Sequence, residues 1–342
     1  MTHQVTVRPS GHVFQVPEGE TVLAAALNEG FHLPYGCRNG ACGSCKGKLL
    51  AGSIDQGKYQ HTALSEDERA AGYALFCVAR PLSDLVIEVR SIGAVKDIPV
   101  KKLPCRVHRL ERVADDVMIA HLKLPANERL QFLAGQYIEF ILKDGARRSF
   151  SMANAPHDDE FLQLHVRHVP GGAFTDHVFK TMKERDILRF EGPLGSFFLH
   201  EAEKPIVFVA SGTGFAPIKA IVESAVKKGI ARPMTLYWGA RRPKDLYLDA
   251  LPRKWAADHP EQFKYVPVIS DGLPEDAWSG RTGFVHRAVM ADLPDLSGVQ
   301  VYACGVPIMV DSARRDFTHA CRLPIDEFFA DSFTTQADLA AG

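Results

Sequence analysis

Three successive textures along 342 residues predict a multidomain chain: a small α+β unit, an antiparallel strand-rich unit, and an α/β unit on a parallel sheet. A hairpin, a helix and a late strand fill residues 1–92. Short strands broken by frequent turns occupy 103–203, the pattern of an antiparallel barrel. From residue 204 to 342 a wholly apolar strand is followed by alternating strands and helices, the pattern of a doubly wound parallel sheet. The chain is also longer than one core usually organises.

The elements are justified in chain order. Val5-Thr6-Val7 and His12-Val13-Phe14-Gln15-Val16 flank Ser10-Gly11, which predicts a hairpin. Glu20-Thr21-Val22-Leu23-Ala24-Ala25-Ala26-Leu27 predicts an amphipathic helix that Gly30 stops. Leu85-Val86-Ile87-Glu88-Val89 closes the unit as a strand. Residues 93–102 lack periodicity and predict a linker. Pro205-Ile206-Val207-Phe208-Val209-Ala210 predicts the first buried strand of the last domain.

Composition narrows the function classes. A formal net charge of −1 exerts no general pull toward nucleic acid or membrane, so neither is expected as a partner. No apolar run approaches the ~18 residues of a membrane span, and Met1-Thr2-His3-Gln4 does not open a signal peptide. Seven cysteines form an odd set, with Cys105, Cys304 and Cys321 scattered singly. That argues against a disulfide framework and predicts a reducing cytoplasm.

The other four cysteines carry chemistry. Cys37, Cys42 and Cys45 stand as C-x4-C-x2-C, and Cys77 follows 32 positions after Cys45. This is the plant-type ferredoxin spacing for four thiolates on a [2Fe-2S] cluster. Gly36, Gly40 and Gly43 suit a loop that must aim backbone N–H groups at sulfur. Four ordinary thiols in a buried loop are the bland alternative.

A second site follows the first apolar strand of the last domain. In Gly212-Thr213-Gly214-Phe215-Ala216-Pro217 the glycines let backbone approach a pyrophosphate, and the helix start supplies donors. Pro217 fits the first helical turn. The pattern lacks the third glycine of the dehydrogenase fingerprint, and a plain tight turn would have the same glycines. The next strand ends before Arg241 and Arg242, where a ribose or 2′-phosphate would lie; a solvated surface pair is the alternative. A later strand ends Cys304-Gly305-Val306-Pro307, at the edge where a nicotinamide would sit. A buried strand cysteine would look the same.

Arg148, Phe150 and Ser151, with Gly171, Gly172, Ala173 and Thr175 further on, lie between these two sites. At this point the chain resembles the ferredoxin–NADP⁺ reductase superfamily, in its single-chain group with an N-terminal ferredoxin, a flavin barrel and a nicotinamide domain. That group includes reductase components of oxygenases and CDP-6-deoxy-glucoseen reductase. The resemblance implies a β-grasp [2Fe-2S] domain at 1–92, an FAD-binding Greek-key β-barrel at 103–203 and an NAD(P)H-binding α/β domain at 204–342. It implies that Arg148 pairs with the flavin diphosphate, Phe150 stacks on the isoalloxazine in place of the usual tyrosine, and Ser151 hydrogen-bonds near N5. His165, Val166 and Arg167 would line the flavin, and the G-G-x-x-T element would bind its diphosphate. Cys304 would lie near the nicotinamide C4. Glu327 would contact that pocket, and Phe329 would cover the flavin. Arg241 matches a position kept with NADH or NADPH, and NADH is expected.

The resemblance thus implies a reductase that takes hydride from NAD(P)H, converts it on FAD into single electrons, and passes them through the cluster to an acceptor protein. That acceptor would be an oxygenase, a hydroxylase or a CDP-sugar dehydratase. It would dock near the cluster loop, where Arg38, Lys46, Lys48 and Lys58 face Asp55, on a monomeric reductase. The alternative is a self-sufficient reductase of free flavin, ferric chelate or quinone. A redox-responsive binding module with degenerate sites is the reading from another class.

Overall fold

The computed structural model describes residues 2–31, 33–89 and 98–334. Residues 93–97 of the expected linker lie outside them, and Lys101 and Lys102 already belong to a strand. The chain divides into two units, 1–98 with 330–342, and 99–329. Among the described residues no helix is long and apolar enough to cross a membrane.

In the first unit the elements run β1 (Thr2–Arg8), β2 (Val13–Pro17), α1 (Val22–Asn28), β3 (Lys46–Ala51), β4 (Ile54–Asp55), α2 (Glu66–Ala70), β5 (Tyr73–Leu75), β6 (Arg80–Pro81) and β7 (Leu85–Glu88). The main sheet has the order β2-β1-β7-β3-β5, with β1 antiparallel to β2 and parallel to β7. Alternation puts Val5, Val7, Phe14, Val16 and Ile87 in the core. Helix α1 starts at Thr21, whose side chain accepts from the Ala24 N–H, and buries Val22, Leu23, Ala25 and Ala26. Helix α2 carries a Ser65–Glu68 capping box and buries no residue.

The second unit starts with β8 (Lys101–Ala114), β9 (Val117–Lys123), β10 (Tyr137–Ile141), β11 (Arg147–Ser151), β12 (Leu162–Arg167), α3 (Ala173–Lys180) and β13 (Ile187–Leu194). These strands form one sheet in the order β11-β10-β13-β8-β9-β12, with every neighbouring pair antiparallel. A Met152–Leu164 bridge and an Ala153 N–H to Gln163 carbonyl bond (2.7 Å) bring the two edge strands together. The enclosed core includes Phe140, Phe174, Phe190, Leu122 and Met152.

It continues as β14 (Ile206–Ser211), α4 (Phe215–Lys227), β15 (Met234–Ala240), α5 (Ala250–Asp258), β16 (Phe263–Ile269), β17 (Arg281–Thr282), α6 (Val285–Asp292), β18 (Gln300–Gly305) and α7 (Pro307–Ala320), and ends in the first two residues of β19 (Phe328–Ser332). The sheet order is β17-β16-β15-β14-β18-β19, with β14 to β18 and β14 to β17 paired parallel. Strand order reverses beside β14, so the loop after β14 opens at a topological switch point, where such sheets bind ligands.

Candidate redox centre

The cysteine loop occupies the connection between α1 and β3. Cys42, Cys45 and Cys77 are buried and Cys37 is half-buried; none forms a disulfide. The Ala41 and Cys42 N–H groups donate to Cys37 Sγ at 3.4 and 3.3 Å, and the Cys37 N–H donates to Cys42 Sγ at 3.3 Å. Ser44 N–H adds a fourth contact, to Cys42 Sγ at 3.5 Å. Amide donors aimed at sulfur favour thiolates. Gly40 makes the turn possible: its φ is +79°, and a Cβ there would lie 2.9 Å from the Lys58 carbonyl.

The thiols interact in two pairs. A hydrogen bond from Cys37 holds Cys42 well below the ordinary thiol range, while that bond and burial push Cys37 up. Cys45 is pushed up in the same way by Cys77 and by burial. Among the described residues no three His, Cys, Asp or Glu side chains close around a single metal ion. A plant-type cluster would take all four cysteines as ligands. Of the basic residues expected around the loop, Lys46 is bound to Glu68 at 2.5 Å. Its charge is therefore not available to a partner.

In the second unit, Arg148, Phe150 and Ser151 lie on β11. Phe150 is half-buried, its ring centroid 5.1 Å from that of Phe174 and 5.9 Å from that of Phe140. Arg148 is half-buried and donates to the Arg147 carbonyl at 2.7 Å; Ser151 is buried at the strand's end. After β12, Thr175 Oγ1 donates to the Val169 carbonyl at 2.9 Å and accepts from the Val169 N–H at 3.2 Å. The hydroxyl thus closes the turn that carries Gly171 and Gly172. Gly172 is the N-cap of α3 and supplies no side-chain acceptor, so the first-turn N–H groups of Ala173 and its neighbours have no cap.

The end of β12 and the glycine loop after β14 meet. Arg167, fixed to Asp116 at 2.7 Å, lies against the loop: a Cβ on Gly212 would stand 3.0 Å from Arg167 Nη1. His165 and Val166 are buried, and His165 Nδ1 lies 2.9 Å from the Tyr247 hydroxyl. Lys219 of α4 donates to the Ala153 carbonyl at 3.1 Å, two residues after Ser151. Trp238 donates to the Gly212 carbonyl at 3.1 Å and stacks on Phe215 at 4.0 Å, pinning the loop from below. A Cβ on Gly214 would sit 2.1 Å from the Cys304 carbonyl. Thr213 and Pro217 are buried beside it. The Ser211 hydroxyl accepts from the Val306 N–H at 3.1 Å, so Cys304, Gly305, Val306 and Pro307 are held against the glycine loop.

Two expected residues are elsewhere. Glu327 accepts from Lys204 at 2.7 Å and from Gln300 at 2.9 Å. Gln300 opens β18 and Cys304 nearly closes it, about 13 Å further at ~3.3 Å per residue. Glu327 therefore belongs to the amino end of the sheet and not to a nicotinamide pocket. Phe329 is buried, stacked on Tyr302 at 4.6 Å and on His200 at 4.3 Å, so it is a core ring and not a cover for flavin. Arg241 is exposed, whereas Arg242 is held by carboxylates. Sequence reasoning passed over Ser211, Lys219, Trp238 and Tyr247. Only Lys219 had a signal there, a lysine on the apolar face of a buried helix.

Known proteins resemble the chain along its whole length. The 2Fe-2S iron-sulfur cluster binding domain matches residues 5–82, the oxidoreductase FAD-binding domain 104–199, and the oxidoreductase NAD-binding domain 208–315. The CDP-6-deoxy-L-threo-D-glycero-4-hexulose-3-dehydrase reductase of Yersinia pseudotuberculosis is 41% identical over 97% of this chain and 99% of its own. Reductase component 2 of the terephthalate 1,2-dioxygenase of Comamonas sp is 38% identical over 98% of both. Among solved structures, the cytochrome P450 reductase GcoB of Amycolatopsis superposes with a TM-score of 0.76 at 35% identity, covering 97% of this chain and 99% of its own.

Proposed function

The chain belongs to the single-chain reductases that join iron–sulfur, FAD-binding and NAD-binding domains, and we propose which of its residues carry the electrons. It is an oxidoreductase that passes electrons from a reduced nicotinamide nucleotide through FAD to a [2Fe-2S] cluster and on to an acceptor. FAD, when bound, takes hydride from the nicotinamide and releases electrons one at a time to the cluster.

Cys37 and Cys42 hold one iron and Cys45 and Cys77 the other, with the Ala41, Cys42 and Ser44 amides supporting the sulfurs. Arg148 offers a planar fork to the flavin diphosphate, and the uncapped start of α3 at Gly172–Ala173 offers N–H groups. Phe150 presents a ring to the isoalloxazine. His165, Val166 and Arg167 line it, and Ser151 donates toward N5. Gly212, Thr213, Gly214 and Pro217 form the nucleotide diphosphate turn, with Cys304 and Gly305 at the nicotinamide and Arg241 nearby. The domains read as a β-grasp unit at 1–92, a Greek-key barrel at 103–203 and an α/β unit at 204–342, joined by 93–102. The acceptor is a separate protein, an oxygenase, hydroxylase or sugar dehydratase component, meeting a monomeric, cytoplasmic reductase at the cluster loop.

The burial of Cys42, Cys45 and Cys77, with backbone N–H groups aimed at the sulfurs of Cys37 and Cys42, is the observation that carries the cluster assignment. Cys42→Ser tests it. After anaerobic reconstitution the variant is expected to lose iron, sulfide and the reduced-cluster paramagnetic signal. NADH should still reduce ferricyanide, which takes electrons from flavin, while reduction of the protein acceptor falls at least ~100-fold, about 2.7 kcal/mol in barrier. An unchanged acceptor rate would place electron exit at the flavin, as in a reductase of small acceptors.

A further inference from the structure

In a parallel α/β sheet the ribose of a bound dinucleotide lies beyond the second strand. There a carboxylate accepts from a free 2′-hydroxyl, or an arginine takes a 2′-phosphate. Here the second strand is β15, and Arg241 and Arg242 follow it. One edge of the Arg242 fork is already filled. Its Nε donates to Asp276 Oδ2 at 2.5 Å and its Nη2 to Asp276 Oδ1 at 2.8 Å, and Glu275 Oε1 lies 3.6 Å away. Asp276 is itself fixed, accepting from the Leu273 N–H at 2.9 Å, and its side chain is only 14% exposed. Asp245 accepts from the Arg242 N–H at 2.9 Å, and Lys244 is engaged by Asp115 at 2.9 Å. Asp271 joins the same edge, its N–H donating to the Arg241 carbonyl at 3.0 Å.

We propose that the Asp276–Arg242 fork, backed by Glu275, is a selectivity device that admits NADH and rejects NADPH. The proposal rests on the nucleotide site described above and adds the residues that discriminate within it. A 2′-phosphate carries close to two negative charges. It would have to displace the bidentate carboxylate from the Nε–Nη2 edge, or take the other edge of a guanidinium already neutralised by Asp276, beside Asp245 and Glu275. A 2′-hydroxyl meets no such barrier. It is a donor, and carboxylates keep lone pairs unused by one arginine.

The test uses the flavin-loaded full-length protein and two fragments, 5′-AMP and 2′,5′-ADP, titrated calorimetrically. The native protein is expected to bind 5′-AMP at least about tenfold more tightly. Asp276→Asn keeps the shape and removes the charge, and should move the ratio toward 2′,5′-ADP by about tenfold or more. Glu275→Gln, at an exposed position that folding tolerates, should move it the same way by roughly two- to fivefold. Adding Arg242→Ala to Asp276→Asn should abolish the gain. The ratio of kcat/KM for NADPH over NADH should follow the fragment ratio. Equal binding of both fragments by the native protein, or a ratio unmoved in both single variants, overturns the filter. If neither fragment binds and NADH fails to bleach the flavin, the nucleotide site itself is misassigned and the filter falls with it.

Discussion

At the residue scale, the two ends of β18 have different surroundings. Cys304 lies against the glycine loop, while Glu327 is bound to Lys204 and Gln300 at the far end. Glu327→Gln should therefore leave NADH-driven flavin bleaching within about twofold of native, while loss of charge-assisted bonds worth roughly 1–3 kcal/mol lowers the melting temperature by a few degrees. Stopped-flow bleaching and a thermal melt read the two effects separately, and a large rate defect would return Glu327 to the site. His165 gives a pH signature. Burial, with Lys219 and His121 nearby, holds it well below its ordinary 6.5. The folded chain keeps His165 neutral while the unfolded chain takes a proton below about pH 6.5, so stability is full above that pH and falls as pH drops through it. The slope from one such group approaches about 1.4 kcal/mol per pH unit. His165→Asn should lose that share of the slope in urea titrations at pH 5 to 7, and an unchanged slope would show the ring already protonated.

At the scale of elements, α4 ties the glycine loop to the segment that follows β11. Lys219 is buried, donates to the Ala153 carbonyl and pairs with Glu223 at 2.8 Å. Burial already pushes the Glu223 carboxyl up, so removal of Lys219 strands a poorly solvated acid. Lys219→Met should destabilise by about 2–3 kcal/mol, less than for fully enclosed pairs because Glu223 is partly solvated. It should also slow hydride transfer, since Ala153 adjoins the strand end that carries Ser151. A variant that is destabilised but bleaches flavin at the native rate would confine Lys219 to architecture. The contrast with Glu327 explains what the sequence made legible. The β1–β2 hairpin, α1, the apolar β14 and the cysteine and glycine loops were readable because each is a local pattern of period, turn or spacing. Lys219–Ala153, Ser211–Val306 and the Arg242–Asp276 fork were not, because they join residues 66, 95 and 34 positions apart. Glu327 and Phe329 were misplaced for the same reason: the E-x-F spacing is local, but their surroundings come from Lys204, Gln300, His200 and Tyr302.

At the scale of the whole molecule, a net charge of −1 leaves recognition of an acceptor to local features. Around the cysteine loop the expected basic surface is smaller than the sequence suggests. Lys46 is bound to Glu68, and Lys48 stands opposite Glu88 in the β3–β7 register. Lys58 is exposed, and its carbonyl lies against Gly40 of the loop, which places its charge beside the cysteines where an acidic acceptor would meet it. With few charges in play, steering acts mainly on the association rate and is screened within about 8–10 Å at moderate salt. The rate of acceptor reduction at limiting acceptor should therefore fall only a few-fold between low and physiological salt. Lys58→Glu should lower the native kcat/KM for the acceptor by roughly three- to tenfold at low salt, with the gap closing as salt rises. Ferricyanide reduction from the flavin should stay unchanged, because it does not use that surface. An acceptor rate indifferent to both salt and Lys58→Glu would move docking away from the cysteine loop while leaving the electron path to the cluster intact.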